Sequence, residues 1–170
     1  MTNERRVAER PPTPYVGVTR TVTMATMAEI ADQIPRVVER ALALGLAPGG
    51  APFLRYDVID MARELVVEAG FPLAADVPAG TALGDLEAGV LPGGRYATVV
   101  HVGAPATLVD ATGALLRWAD DAGLTFDVHE DDRGDVWGCR LESYLTDPRD
   151  EPDPDRWETE LAFRLAADPA

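Results

Sequence analysis

Lysine is absent from this 170-residue chain, and all fifteen basic residues are arginine. Without lysine the glycine pairs Gly49-Gly50 and Gly93-Gly94 cannot belong to a G-x-x-x-x-G-K-[ST] phosphate loop. We read the bias as genomic composition rather than as a functional choice. A single cysteine, Cys139, excludes an internal disulfide framework and every multi-cysteine metal or iron–sulfur pattern. Two histidines leave little for metal chemistry, and neither His101, in a valine-rich strand, nor His129, in an acidic stretch, has a nucleophile partner indicated by sequence. No metal and no cofactor is expected. No apolar run approaches the roughly 20 residues of a membrane span, and the charged N-terminus is followed by no apolar signal-peptide core. A cytosolic protein is the expectation.

Acid is what the chain has in excess. The formal charge is −14, which argues against nucleic-acid binding through a broad basic face. Residues 127–160 hold thirteen acids against four arginines. Either this is a solvated face that keeps a small domain soluble, or it is a surface that attracts cations or a basic protein partner. The acidic segment 147–155 carries Pro148, Pro152 and Pro154 and lacks the twelve-residue calcium-loop pattern.

Residues 1–13 read as a flexible tail, with Pro11, Pro12 and Pro14 at its end. The folded unit is expected over 14–166. Residues 15–23 are rich in valine and threonine and predict a strand. In 27–44 the apolar positions Met27, Ile30, Ile34, Val37, Ala41 and Leu44 recur at helical spacing, Pro35 forces a break or a fresh first turn, and Gly45 closes the helix. Strands are predicted over 53–59 and 63–69, joined through 58–62. Residues 71–94, punctuated by proline and glycine, read as an irregular connection. The same order then returns: a strand over 96–102, a helix with the stripe Leu108, Ala111, Leu115, Trp118 and Ala122, an acidic loop over 127–135, and strands over 137–145 and 157–165.

The two halves thus show weak internal symmetry at an offset of about eighty residues, repeat one over about 14–70 and repeat two over about 94–166. Each reads as strand, helix, strand, strand. A βαββ unit buries one sheet face under its helix, so two copies can bury their bare surfaces against each other. The expected fold is α+β: duplicated βαββ units with pseudo-twofold symmetry and a ligand cleft between the halves. A monomer is expected, since one pair of units completes the domain.

Glu142 is the most informative residue. Strand alternation in 137–145 puts Cys139, Leu141, Ser143 and Leu145 on one face and Arg140, Glu142 and Tyr144 on the other. If the first face packs on the helices, Glu142 points into the cleft. A carboxylate among rings can neutralise a lipophilic cation or, desolvated, serve as a general acid or base. It can equally be a solvated strand residue, or a partner of Arg140 or Arg95. The aromatics Tyr56, Phe53, Tyr96, Trp137 and Trp157 come from both halves and are candidates either for core or for stacking a flat ligand.

Five stretches resemble the GyrI-like small-molecule-binding domain family: Gly50-Ala-Pro-Phe-Leu-Arg-Tyr56, Leu91-Pro-Gly-Gly-Arg-Tyr-Ala97, Val100-His-Val-Gly103, Leu141-Glu-Ser-Tyr-Leu-Thr-Asp-Pro148 and Thr159-Glu-Leu-Ala-Phe163. The resemblance implies a central aromatic pocket with a buried glutamate at Glu142 and pocket aromatics at Tyr56 and Trp157. The family covers sensors of hydrophobic, often cationic, compounds, a protein inhibitor of DNA gyrase, and hydrolases that open a strained cyclopropane ring in DNA-alkylating natural products. In those hydrolases the glutamate is expected to help activate water, which would make Glu142 the general base. The tail is too short for a helix-turn-helix, so direct DNA binding is not expected. Three roles follow from the resemblance: a binder of a bulky apolar or cationic compound, giving drug resistance by sequestration; a hydrolase; or an interaction protein using the acidic face.

Overall fold

The computed structural model describes residues 4–167, and these contain ten strands and three α-helices. Strands β1 (Arg6–Arg10), β2 (Thr13–Val22), β3 (Phe53–Ile59), β4 (Leu65–Pro72), β5 (Glu87–Leu91), β6 (Gly94–Val102), β7 (Val128–Asp131), β8 (Gly134–Trp137), β9 (Arg140–Tyr144) and β10 (Glu158–Arg164) form one antiparallel sheet. Helices α1 (Ala28–Ala31) and α2 (Gln33–Ala43) follow β2, and α3 (Leu108–Asp121) follows β6. The sheet order is β1-β6-β10-β9-β3-β4-β2-β5, with β8 attached beside β3 and β7 beside β8.

Read outward from the central β9–β3 pair, one side runs β10, β6, β1 and the other β4, β2, β5. The sheet is curled, and each side carries its own helices on the same face. On one side Val37, Ala41 and Ile30 pack on Val16, Val18, Leu54, Val67 and Ala69. On the other, Leu108 and Leu115 pack on Ala97, Val99, Leu161 and Phe163. The reverse face holds a third cluster in which Tyr15 and Phe53 meet Tyr96, Cys139, Leu141 and Ala162.

Four sequence expectations change. Residues 6–10, expected in the tail, form β1, paired with β6 from Arg6↔Thr98 to Arg10↔Gly94; residues 1–3 of that tail lie outside the described residues. A short charged strand has no apolar signature, and its pairing comes from backbone hydrogen bonds, from Arg10 Nη2 to Glu160 Oε1 at 2.7 Å, and from the Arg10 guanidinium over the Tyr96 ring. The supposed irregular connection 71–94 contains β5, which pairs with β2. The acidic loop 127–135 is largely a hairpin, β7–β8, turned at Asp132-Arg133, where Arg133 donates to Asp131 at 2.8 Å. Finally, the single strand over 137–145 is two, broken at Gly138-Cys139, where the Gly138 N–H turns to Asp127 O at 2.8 Å.

The helix over 27–44 forms as two pieces that meet at Asp32, with Pro35 in the first turn of α2, where no intrahelical N–H donor is needed. Gly45 closes it at φ 76°, with the N–H of Leu46 returning to Ala41 O at 3.1 Å.

Close packing on the reverse face favours Gly70. It lies opposite Phe53, which is only 1% exposed, and a Cβ there would overlap the outer edge of the Phe53 ring. Gly70→Ala is expected to cost about 1–3 kcal/mol through overpacking, read as a lower urea midpoint at unchanged m-value. A midpoint equal to wild type would mean that the ring has room to yield.

Candidate functional site

The centre of the helix-bearing face is β9. Glu142 lies opposite Leu161 of β10 and Leu54 of β3, and directly opposed residues of an antiparallel pair share a face. Since Leu161 and Leu54 belong to the two helix-side clusters, Glu142 faces the gap between them. This reverses the expected orientation: Leu141 and Cys139 lie on the reverse face, away from the helices. Alternation fixed which residues go together, but not which set the helices cover.

Arg140, Glu142 and Tyr144 share that face at every second position of β9. The Tyr144 hydroxyl donates to Glu142 Oε1 at 2.9 Å, and the Tyr56 phenol lies beside the same carboxylate. Tyr56 comes from β3, next to β9, because Leu54↔Glu142 and Arg55↔Leu141 carried one residue further set it beside Arg140. Burial pushes the Glu142 carboxyl above the usual range, outweighing the two neighbouring phenols and the charge of Arg140. Burial and the nearby Glu142 also push both tyrosines up, so they are neutral donors at neutral pH.

Arg140 lies across two rings, its guanidinium carbon 4.8 Å from the Trp137 centroid and 4.5 Å from that of Phe163. Trp137, Phe126 and Phe163 form one aromatic group, with Trp137 and Phe163 centroids 5.7 Å apart. The Trp137 indole N–H is buried and has no hydrogen-bond partner. Trp157 stands two residues before Thr159, which is opposite Tyr144, and donates its indole N–H to Glu151 O at 2.8 Å.

Of the sequence candidates, Glu142, Tyr56 and Trp137 therefore come to the helix-side face, and Trp157 sits at the start of β10. Phe53 and Tyr96 do not join them: both are fully buried in the reverse-face cluster, and the Tyr96 hydroxyl bonds to Pro92 O. Tyr144 was missed as a site residue although it shares the parity of Glu142. Two surface hollows, of about 370 and 360 Å³, lie elsewhere, one against α2 with Arg36, Arg40 and Asp85, the other beside Asp60, Glu130 and Asp135.

A second polar group went unnoticed on the reverse face. The β3 strand bulges between Tyr56 and Val58, so that Asp57 is the extra residue. Arg55 Nε lies 3.1 Å from Asp57 and 3.7 Å from Glu68, its other nitrogens donate to Tyr15 Oη at 3.3 Å and Gly138 O at 3.0 Å, and Tyr15 donates to Glu68 at 2.5 Å. Only strand register brings these four side chains together, and no local pattern announces it.

The sequence profile of the GyrI-like small-molecule-binding domain matches residues 4–166, nearly all of the chain. The chain belongs to this family. Curated protein sequences hold no match to it. Among solved structures it is similar to the C-terminal domain of EcmrR, with a TM-score of 0.74, 19% identity and coverage of 98% of this chain and 99% of that one. It is also similar to SAV2435 bound to tetraphenylphosphonium, with a TM-score of 0.62, 12% identity and coverage of 96% and 94%, and to a hydrolase from Listeria innocua, with a TM-score of 0.59, 13% identity and coverage of 97% and 93%. At these identities the likeness speaks for the fold. The motifs behind the GyrI-like resemblance occupy β3, β6, β9 and β10, the strands around Glu142, together with the β5–β6 turn. Among the described residues no helix is long and apolar enough to cross a membrane, and no group of three or more His, Cys, Asp or Glu side chains is arranged to hold a metal ion.

Proposed function

We propose that this GyrI-like domain binds a bulky aromatic small molecule at the helix-side face of β9, between the two helix-covered halves, with Glu142 at the floor. The observation that carries the reading is a half-buried carboxylate that accepts from the Tyr144 phenol, with the Tyr56 phenol beside it, rather than from a direct basic partner. A group in that setting is costly to the fold and serves either to recognise a ligand or to handle a proton. Tyr56, Tyr144 and Trp157 supply rings on which a flat molecule can stack. The ligand classes open to it are apolar polycycles and lipophilic cations; the name of SAV2435 bound to tetraphenylphosphonium supports the second for that relative.

A second reading is hydrolysis of an electrophilic, strained-ring compound with Glu142 as general base. Its support is the carboxyl raised by burial, a direction that favours holding and transferring a proton, and a fold shared with a protein described as a hydrolase. A thermal-shift screen of polycyclic electrophiles and lipophilic cations, run on wild type and Glu142→Gln and followed by mass spectrometry of each hit, tests both. A ligand at about 100 times its Kd adds about 2.7 kcal/mol of stability. Hits recovered unchanged, and weakened by Glu142→Gln, support binding. A product one water heavier, formed by wild type and at least about 100-fold more slowly by Glu142→Gln, supports hydrolysis. Hits indifferent to the substitution would refute Glu142 as the site.

A further inference from the structure

Resting on that reading of the β9 face, we infer that its ligand carries an acceptor oxygen, a carbonyl or carboxylate, received by the Arg140 guanidinium and the Trp137 indole N–H, and that a simple organic cation is disfavoured. The site has its own cation. Arg140 stands two residues from Glu142 on the same face, stacked on Trp137 and Phe163 at 4.8 and 4.5 Å. Arg140 already lies over these two ring faces and closes them to the cation–π contact a lipophilic cation would seek there. A permanent cation placed against Glu142 would meet Arg140 as a neighbour whether or not the carboxylate is ionised. With Glu142 ionised the pair sums to zero, and with it protonated the face is positive.

The other groups turned to Arg140 do not change that balance. The phenols of Tyr56 and Tyr144 stay neutral, and Asp135 is exposed on the β7–β8 hairpin. His101, on β6 opposite Thr159, is engaged with Thr107 at 2.7 Å. What the aromatic group lacks is an acceptor. Trp137 is 8% exposed, and its N–H is buried without a partner, an arrangement native proteins seldom leave unfilled. An oxygen acceptor from a ligand would meet this N–H and the adjacent guanidinium together, and the guanidinium adds charge assistance. Glu142 and the tyrosines then line the remainder of a flat ring system.

The test uses three probes with one ring system: pyrene, 1-pyrenecarboxylate and 1-pyrenemethylammonium, with binding followed by pyrene fluorescence. Wild type is expected to bind the carboxylate about tenfold or more tightly than the ammonium compound. Arg140→Met, which keeps the stem over the rings, is expected to abolish or invert that order, and Arg140→Lys to restore part of it. Trp137→Phe, which keeps a ring and loses the N–H, is expected to weaken the carboxylate severalfold more than it weakens pyrene. Because the wild-type order alone is informative, a variant that fails to fold does not remove the test. Wild type preferring the ammonium probe overturns the inference, as does an order unmoved by Arg140→Met or a carboxylate affinity unmoved by Trp137→Phe. Those results leave the β9 face standing as a ligand site, whereas binding of none of the three overturns that reading together with the inference.

Discussion

Phe163→Ala is expected to cost about 3–5 kcal/mol, the range for truncating a buried ring whose surroundings relax only in part. Phe163 is 1% exposed and lies on β10 with neighbours on every side: Phe126 at 6.2 Å, Trp137 at 5.7 Å, and the Arg140 guanidinium at 4.5 Å. The backbone around it is pinned by β6 on one edge, with Phe163↔Ala97, and by β9 on the other, with Phe163↔Arg140. A sheet strand held on both edges cannot collapse into the vacated volume. The loss should appear as a lower urea midpoint with an unchanged m-value. Val109→Ala, at an α3 position 74% exposed, is the control and should stay within about 0.5 kcal/mol. A loss below about 1 kcal/mol at Phe163 would mean that the aromatic group under Arg140 is loosely packed.

The same strand pairings explain how much of this molecule is legible in one dimension. The β3 strand over Phe53–Ile59 falls where the sequence puts it, and α3 follows its stripe from Leu108, because each is decided by local periodicity and ended by local breakers. Strands β1 and β5 are different. Arg6–Arg10 is mostly charged and Glu87–Leu91 is short and interrupted by Gly89, so neither announces itself, and each becomes a strand because a distant edge, β6 for one and β2 for the other, offers unpaired backbone groups. The site divides in the same way. Alternation puts Glu142 with Arg140 and Tyr144, and Tyr56 with Leu54, but only register sets β9 beside β3 and brings the two tyrosines to one carboxylate. Phe53 and Tyr56 are three residues apart on one strand and face opposite ways, so an aromatic residue's presence on the right strand is weaker evidence than its parity.

Asp57→Asn is expected to flatten the decline in stability of wild type between about pH 4 and pH 8. Asp57, Glu68 and Arg55 bring two carboxylates to one guanidinium, while the other Arg55 nitrogens are taken by Tyr15 Oη and Gly138 O. One cation balances one carboxylate, and the second is driven to keep a proton. Burial first, then the hydrogen bond and negative charge of Glu68, push the Asp57 carboxyl from 3.8 up to about 8 against the opposing pull of Arg55. In that window the native pair holds a proton that an unfolded aspartate has released. Unfolding then releases a proton, so the free energy of unfolding falls as pH rises. The contribution is fully present below about pH 4 and gone by about pH 8. One pKa unit is worth about 1.4 kcal/mol, and because Asp57 is 26% exposed the loss is set at about 2–4 kcal/mol rather than the full span. Asparagine fixes the neutral state and can donate to Glu68 as the protonated acid does. Wild type and Asp57→Asn should therefore melt close together near pH 4.5 and separate steadily toward pH 8.5, the variant becoming the more stable. Subtracting the two curves cancels the titrating groups that do not interact with Asp57, and parallel curves across the range would show that the proton does not reside on this pair.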